Sequence, residues 1–196
     1  MARNVPTTPF DAGAAVQPAG FWKRTFAWCI DALMVLPGAL CVLVVFAKPG
    51  ALMAQFQTLQ ALVDTAVLSA VTEGADFASV LSTLLVDPAI RGAAQALATQ
   101  VLHVSLVFAA AFAFLSGLLQ VWGDTHAAQG SPGKRMMGLR VVHAVTGQRL
   151  TPLQALGRHL AGSASWLSLN LGHLMAAVPP DHRALHDRLS NTRLIA

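Results

Sequence analysis

The sequence predicts an all-α membrane protein: a small transmembrane helical bundle with two spans, a third polar span or re-entrant helix, and a short cytoplasmic β-hairpin. Three observations lead there. Hydrophobic residues make up 55% of the 196 and charged residues only 11%, against about 25% charged in an ordinary soluble domain. Residues 25–47 and 101–122 are each long enough, as helices, to cross a hydrocarbon core of about 30 Å. The first of these stretches holds a single charge, Asp31, where a carboxylate costs roughly 2.5–3.5 kcal/mol on insertion scales. A partner, a water-filled cavity or a proton must offset that cost, so one side of the first helix has to meet protein or water.

Residues 1–20 contain three prolines and several small residues and read as a disordered leader. They lack the apolar centre of a cleavable signal peptide, so the first span is itself the expected insertion signal. Residues 21–196 then form one membrane domain. FWKR at 21–24 supplies aromatic rings for the interface and two cations for an anionic leaflet. Pro37-Gly38 sits in mid-helix, where proline removes a backbone bond and kinks the helix. Cys29 and Cys41 are twelve residues apart on the same helix, about 18 Å, and cannot bridge.

Residues 48–100 show apolar positions at three- and four-residue spacing, such as Leu59, Leu62, Val63 and Ala66. This is an amphipathic helix pattern, punctuated by Glu73-Gly74 and Asp87-Pro88. Two or three helical pieces outside the bilayer or at its edge are expected. The second span, 101–122, has no formal charge, one histidine (His103) and a terminal Trp122. Residues 123–158 carry Lys134, Arg135, Arg140, Arg149 and Arg158 against Asp124 alone. Within them the β-branched alternation over 139–145, then Thr146-Gly147 and 148–150, predicts the hairpin. Thr151-Pro152 looks like a capped helix start.

The third stretch, about 158–178, is interrupted by serines, Asn170 and His173, and ends at Pro179-Pro180. The tail after it includes a candidate closing strand, Thr192–Ile195. Cation-rich flanks at 21–24 and 123–158 place those segments and the N-terminus in the cytoplasm and the 48–100 insert outside. The tail carries Arg183, Arg188 and Arg193, which also favour the inside. The third stretch is therefore either a single polar span or a re-entrant or in-plane helix.

The segment AGFWKRTFAWCIDALMVLP, with Arg24 at its start and Asp31 within, resembles the first helix of the RDD family of bacterial inner-membrane proteins. GSPGKRMMGLRVVHAVTGQRLTPLQALGRHL resembles the family's GxxxGKRxxGLRVV segment and the arginine that follows. RALHDRLSNTRLI resembles its closing RxxLHDxLxxT segment. Family members are named for one arginine and two aspartates, and the match places the second aspartate at Asp187. The resemblance implies location in a bacterial inner membrane. It also implies transport of ions or small ligands, by cation/proton exchange, as an oligomer. The alternative is a non-transporting membrane scaffold or assembly partner whose Arg and Asp residues are structural.

Arg24 and Asp31, seven apart, lie two turns apart on one helix face. They suit an ion or proton site with a shared water, or a buried structural pairing in which Asp31 meets an arginine such as Arg158. Asp187, beside His186 and four after Arg183, suits a polar cluster docked on the 130s or a plain surface salt bridge. His103 could exchange protons with Asp31 or bond a backbone carbonyl. His182 and His186 have zinc-compatible spacing but no third ligand. GSPGKR at 130–135 fails as a phosphate loop, because residue 128 is Ala and the residue after Lys134 is Arg135. Contact with anionic lipid headgroups fits that segment better, and a plain membrane-facing turn better still. The basic residues form no tract for nucleic acid, and no nucleophile–base arrangement points to an enzyme. No metal or cofactor is expected. The expected partners are the bilayer and either further copies or another membrane protein.

Overall fold

The computed structural model describes residues 17–167, 171–177 and 183–196. Its elements run α1 (Phe21–Ala47), α2 (Pro49–Thr72), α3 (Phe77–Val86), α4 (Pro88–Thr125), α5 (Pro132–Met136), β1 (Arg140–His143), α6 (Pro152–Leu167), α7 (Leu171–Leu174), a 3-10 turn (Met175–Ala177), α8 (Leu185–Leu189) and β2 (Thr192–Ile195). The chain divides into two compact units, Met1–Pro37 with Ala113–Ala196, and Gly38–Phe112. The division falls at the Pro37-Gly38 pair, inside a helix that runs on without a break.

Two helices, α1 and α4, are long and apolar enough to cross a membrane. Their best windows have mean hydropathy 2.5 and 2.1, with only 17% and 6% of each window buried. A core helix of a soluble protein would be mostly buried. Here Leu33, Met34, Val44, Val45, Phe46, Leu102, Leu106, Phe114 and Leu118 face outwards, as lipid-facing side chains do. In the first unit α1 turns inward the stripe Ala27, Asp31 and Val35, spaced by one helical turn each.

Helix α4 starts earlier than the 101–122 stretch. Pro88 takes the first helical position, and the Asp87 carboxylate accepts the N–H groups of Ala89 (2.7 Å) and Ile90 (3.3 Å). Alanine-rich residues 92–99 then extend the helix into the apolar part without a stop signal, giving 38 residues. The rest of the expected insert is α2, begun after left-handed Lys48, and α3, capped by Asp76.

The two-stranded antiparallel sheet is present, but its second strand is not 148–150. β1 pairs with β2 in the register Arg140↔Ile195 to His143↔Thr192. The local turn forms as read: Gly147 has φ 66 and donates to the His143 carbonyl at 2.9 Å. Return pairing ends after one bond, from His143 N–H to the Gln148 carbonyl, because buried Leu150 joins the core and Thr151 at once caps α6. Thr151 Oγ1 accepts from Gln154 N–H while Gln154 Oε1 accepts from Thr151 N–H, a reciprocal capping box. The leader is ordered at its end. Pro18 bridges Ile195, and Ala19, fully buried, donates to the Leu194 carbonyl at 3.0 Å. A small core of Ala19, Ala27, Leu139, Val141, Leu150, Ala155 and Leu194 ties these pieces together.

Candidate functional site, a buried chain of charges

Asp31 is only 3% exposed, and three neutral donors hold its carboxylate. Ser131 Oγ donates to Oδ2 at 2.5 Å, Gln120 Nε2 to Oδ2 at 3.0 Å, and the Gly133 N–H to Oδ1 at 2.7 Å. The short segment before and within α5 makes this possible. At Gly133 a Cβ would run into the Ala27 carbonyl and Asp31 Oδ1, so only glycine lets the α5 backbone reach the acid. Gly123 plays the same part on α4, where a Cβ would lie 2.5 Å from Ser131 Cα.

From Asp31 the contacts run on through Gln120. Its Oε1 accepts from Lys134 Nζ at 2.6 Å, and Lys134 also reaches Asp124 Oδ1 at 2.5 Å. The other Asp124 oxygen takes Arg158 Nη1 at 2.9 Å. Arg158 then turns its Nε and Nη2 to Asp187 Oδ1 at 3.1 and 2.8 Å. Asp187 Oδ2 accepts from Arg24 Nη1 at 2.5 Å and from the Ala184 N–H at 3.2 Å. Arg24 also donates through Nε to the Ala19 carbonyl at 3.0 Å. Three carboxylates and three cations thus alternate in one hydrogen-bonded chain, with zero net charge and all six carboxylate oxygens engaged.

The electrostatics follow from burial. Burial alone would raise the Asp187 carboxyl, but Arg158 and then Arg24 more than reverse this and hold it well below the usual carboxylate range. Burial, and next the Arg158 charge, push the His186 imidazole down to about 3. His186 is therefore neutral beside Asp187, at 3.4 Å, and its ring packs on His173 with centroids 4.9 Å apart. Burial also lowers Lys134, with Asp124 pulling back and Arg158 adding to the fall.

Several sequence-based expectations change here. Asp31 bonds to no arginine. Arg158 belongs to Asp124 and Asp187, and Arg24 to Asp187, so Arg24 and Asp31 share the network without sharing a partner. The guanidinium groups go to the carboxylates of Asp124 and Asp187, whereas Asp31 is held by a hydroxyl, an amide and a backbone N–H. His103 is exposed on α4 in the Gly38–Phe112 unit and is not among the groups bonded to Asp31. Arg135 is exposed, with its guanidinium 5.6 Å from the centroid of the Trp122 ring. His182 lies outside the described residues. Sequence reasoning passed over Asp124, Gln120 and Ser131. The available signal was Asp124 as the one acid among the cations of 123–158, one turn after Gln120 on the same helix.

The model of the RDD family matches residues 18–191, and no curated protein and no solved structure matches the chain.

Proposed function

Because the chain belongs to the RDD family, we propose that it is a multi-pass protein of a bacterial inner membrane, N-terminus in the cytoplasm, that serves as a non-transporting scaffold for other membrane chains or further copies of itself. One observation carries this reading: the 3:3 charge balance, with every carboxylate oxygen already bonded. An arriving cation would have to compete with the donors already in place on every carboxylate oxygen, and removing a member leaves its buried partner short of a bond. The network ties the first span and the end of the second to α5, α6 and α8. The outward apolar faces of α1 and α4 supply area for partner helices, because small and apolar side chains drive packing within lipid. The test is abundance and association: Asp31→Asn should lower membrane abundance, and cross-linked pull-downs should recover a constant partner. Unchanged abundance together with a lone monomer would overturn it.

A second reading, cation/proton exchange by an oligomer, is favoured by a different detail. Asp31 alone among the three acids has no cation bonded to it, and one amide, Gln120, links it to a buried lysine whose ammonium is held below its ordinary range by burial. Loss of the Lys134 proton would unbalance the chain by one charge, and a proton or metal cation at Asp31 would change it again. Proton flux driven by a cation gradient in proteoliposomes checks this, with native mass spectrometry in detergent giving the oligomer size. Equal background flux from wild type and Asp31→Asn ends the exchange reading.

A further inference from the structure

Residues 17–19 and 194–196 are held together on one side. β2 pairs with β1, which follows the second span, and it also bridges Pro18, which precedes the first. Ala19 N–H reaches the Leu194 carbonyl at 3.0 Å, and Ala196 N–H reaches the Gln17 carbonyl at 3.1 Å. Atoms bonded at that distance cannot lie on opposite faces of a core about 30 Å thick. Residues 144–191 therefore leave and return on the same face.

The excursion is also too short to cross. Gly162 lies against the His186 ring, and the His173 ring stacks on that same ring. His186 adjoins Asp187, which is bonded to Arg24 at the start of α1. Ten residues separate Gly162 from His173, and the first five complete α6 at Leu167. Five helical residues advance about 8 Å, far short of a core about 30 Å thick, and His173 is again beside His186.

Helix α6 carries its polarity inside out. Ala155, Arg158 and Ser165 are buried and Gly162 faces His186, while Leu153, Leu156 and Leu160 are 78%, 44% and 59% exposed on the opposite face. The depth of this helix says what covers the leucines. His159 Nε2 lies 3.2 Å from the Ala113 carbonyl, and a Cβ on Gly117 would meet that ring at 2.9 Å. Gly117 and Ala113 are five and nine residues inside Trp122, roughly 8–14 Å along the span. Exposed Arg149 precedes the helix, and Lys23, Arg135, Arg140 and Arg188 are also exposed in this unit.

We infer that the chain crosses the bilayer twice, with both termini cytoplasmic, and that α6 is a half-immersed helix whose Leu153, Leu156 and Leu160 face is covered by the acyl chains of the anionic cytoplasmic leaflet, with the exposed cations on its headgroups. An in-plane apolar face and a basic rim fit such a surface. The side assignment rests on the orientation proposed above; the shared side of the termini does not.

Cysteine mapping tests both parts. Cys29 and Cys41, free and exposed, are first replaced by Ala. Ala2→Cys and Ala196→Cys should resist an impermeant maleimide in intact spheroplasts and react once these are opened. Reaction of one but not the other from outside overturns the two-crossing inference. Reaction of both from outside overturns the leaflet while leaving the shared side intact. Spin labels at Leu153→Cys, Leu156→Cys and Leu160→Cys, in vesicles of phosphatidylethanolamine and phosphatidylglycerol, should collide more with oxygen than with a nickel chelate. Arg149→Cys should show the reverse, and the oxygen preference should shrink without phosphatidylglycerol. A nickel preference at the leucines, low collision with both reagents, or indifference to phosphatidylglycerol overturns the lipid contact.

Discussion

The two units solve the problem of a stable membrane fold by opposite means. Among its described residues, the unit of Met1–Pro37 and Ala113–Ala196 buries eight polar or charged ones: Asp31, Asp124, Ser131, Lys134, Arg158, Ser165, Asp187 and Thr192. The Gly38–Phe112 unit buries Ala39, Ala47, Ile90 and Ala111, and among its described residues no charged one is buried. Its side-chain bonds are mostly hydroxyls returning to carbonyls three or four residues back, such as Thr58 to Ala54 and Thr65 to Ala61, with Gln100 to the Ala47 carbonyl as a longer one. Directional hydrogen bonds among buried charges specify one arrangement in the first unit. The second leaves its apolar faces to whatever surrounds it.

The sharpest break of this contrast is Asp187→Ala. It leaves Arg24 without a carboxylate and Arg158 with Asp124 alone, and removing one member of a buried pair costs about 3–5 kcal/mol. Thermal unfolding in detergent and membrane abundance should both fall steeply; a loss no larger than that of a surface change would dissolve the distinction between the units. Gly133→Ala comes next. Its methyl must push α5 off α1 and lengthen the bond to Asp31, for about 1–3 kcal/mol of overpacking, read as a lower melting temperature that Asp31→Asn does not add to in full.

A pH series sharpens the same point. His186 titrates at about 3 in the folded chain and near 6.5 when unfolded. Between those values the unfolded state binds a proton that the folded state refuses, so stability should fall as pH drops from about 6.5 towards 3. Asp187, with its carboxyl depressed, adds a loss only below about pH 4. His186→Gln should flatten the upper part of the slope; an unchanged slope would show the ring to be hydrated. Arg135→Gln removes a cation from the Trp122 face and should cost about 0.5–1 kcal/mol. Asp64→Asn, exposed on α2, should lie within about 0.5 kcal/mol of wild type.

Much of this was legible in the chain. An acid in an apolar stretch announces a membrane and a sheltered face at once, and Arg24, Asp31 and Asp187 were all singled out. What was not legible is who meets whom. Asp31 finds Ser131 and Gly133 at separations of 100 and 102 residues, and Arg24 finds Asp187 at 163; no local pattern records such pairings. The β1 partner was misread for the same reason. Turn chemistry at Thr146-Gly147 is local and was right, whereas the strand that completes the sheet lies near the other end of the chain. Asp124 hid in plain view, since a single acid among cations reads as charge balance until a fold brings Lys134 and Arg158 to it.

The threading of that chain of charges has a consequence for biogenesis. Asp31 leaves the ribosome about a hundred residues before Ser131, several seconds or more at 5–20 residues per second. Until then the acid of the first helix lacks the hydroxyl and the backbone N–H that hold it in the finished fold. Asp187, which bonds both arginines, is made 163 residues after Arg24. A truncated product ending before Asp187 would leave Arg24 and Arg158 without the carboxylate that they share.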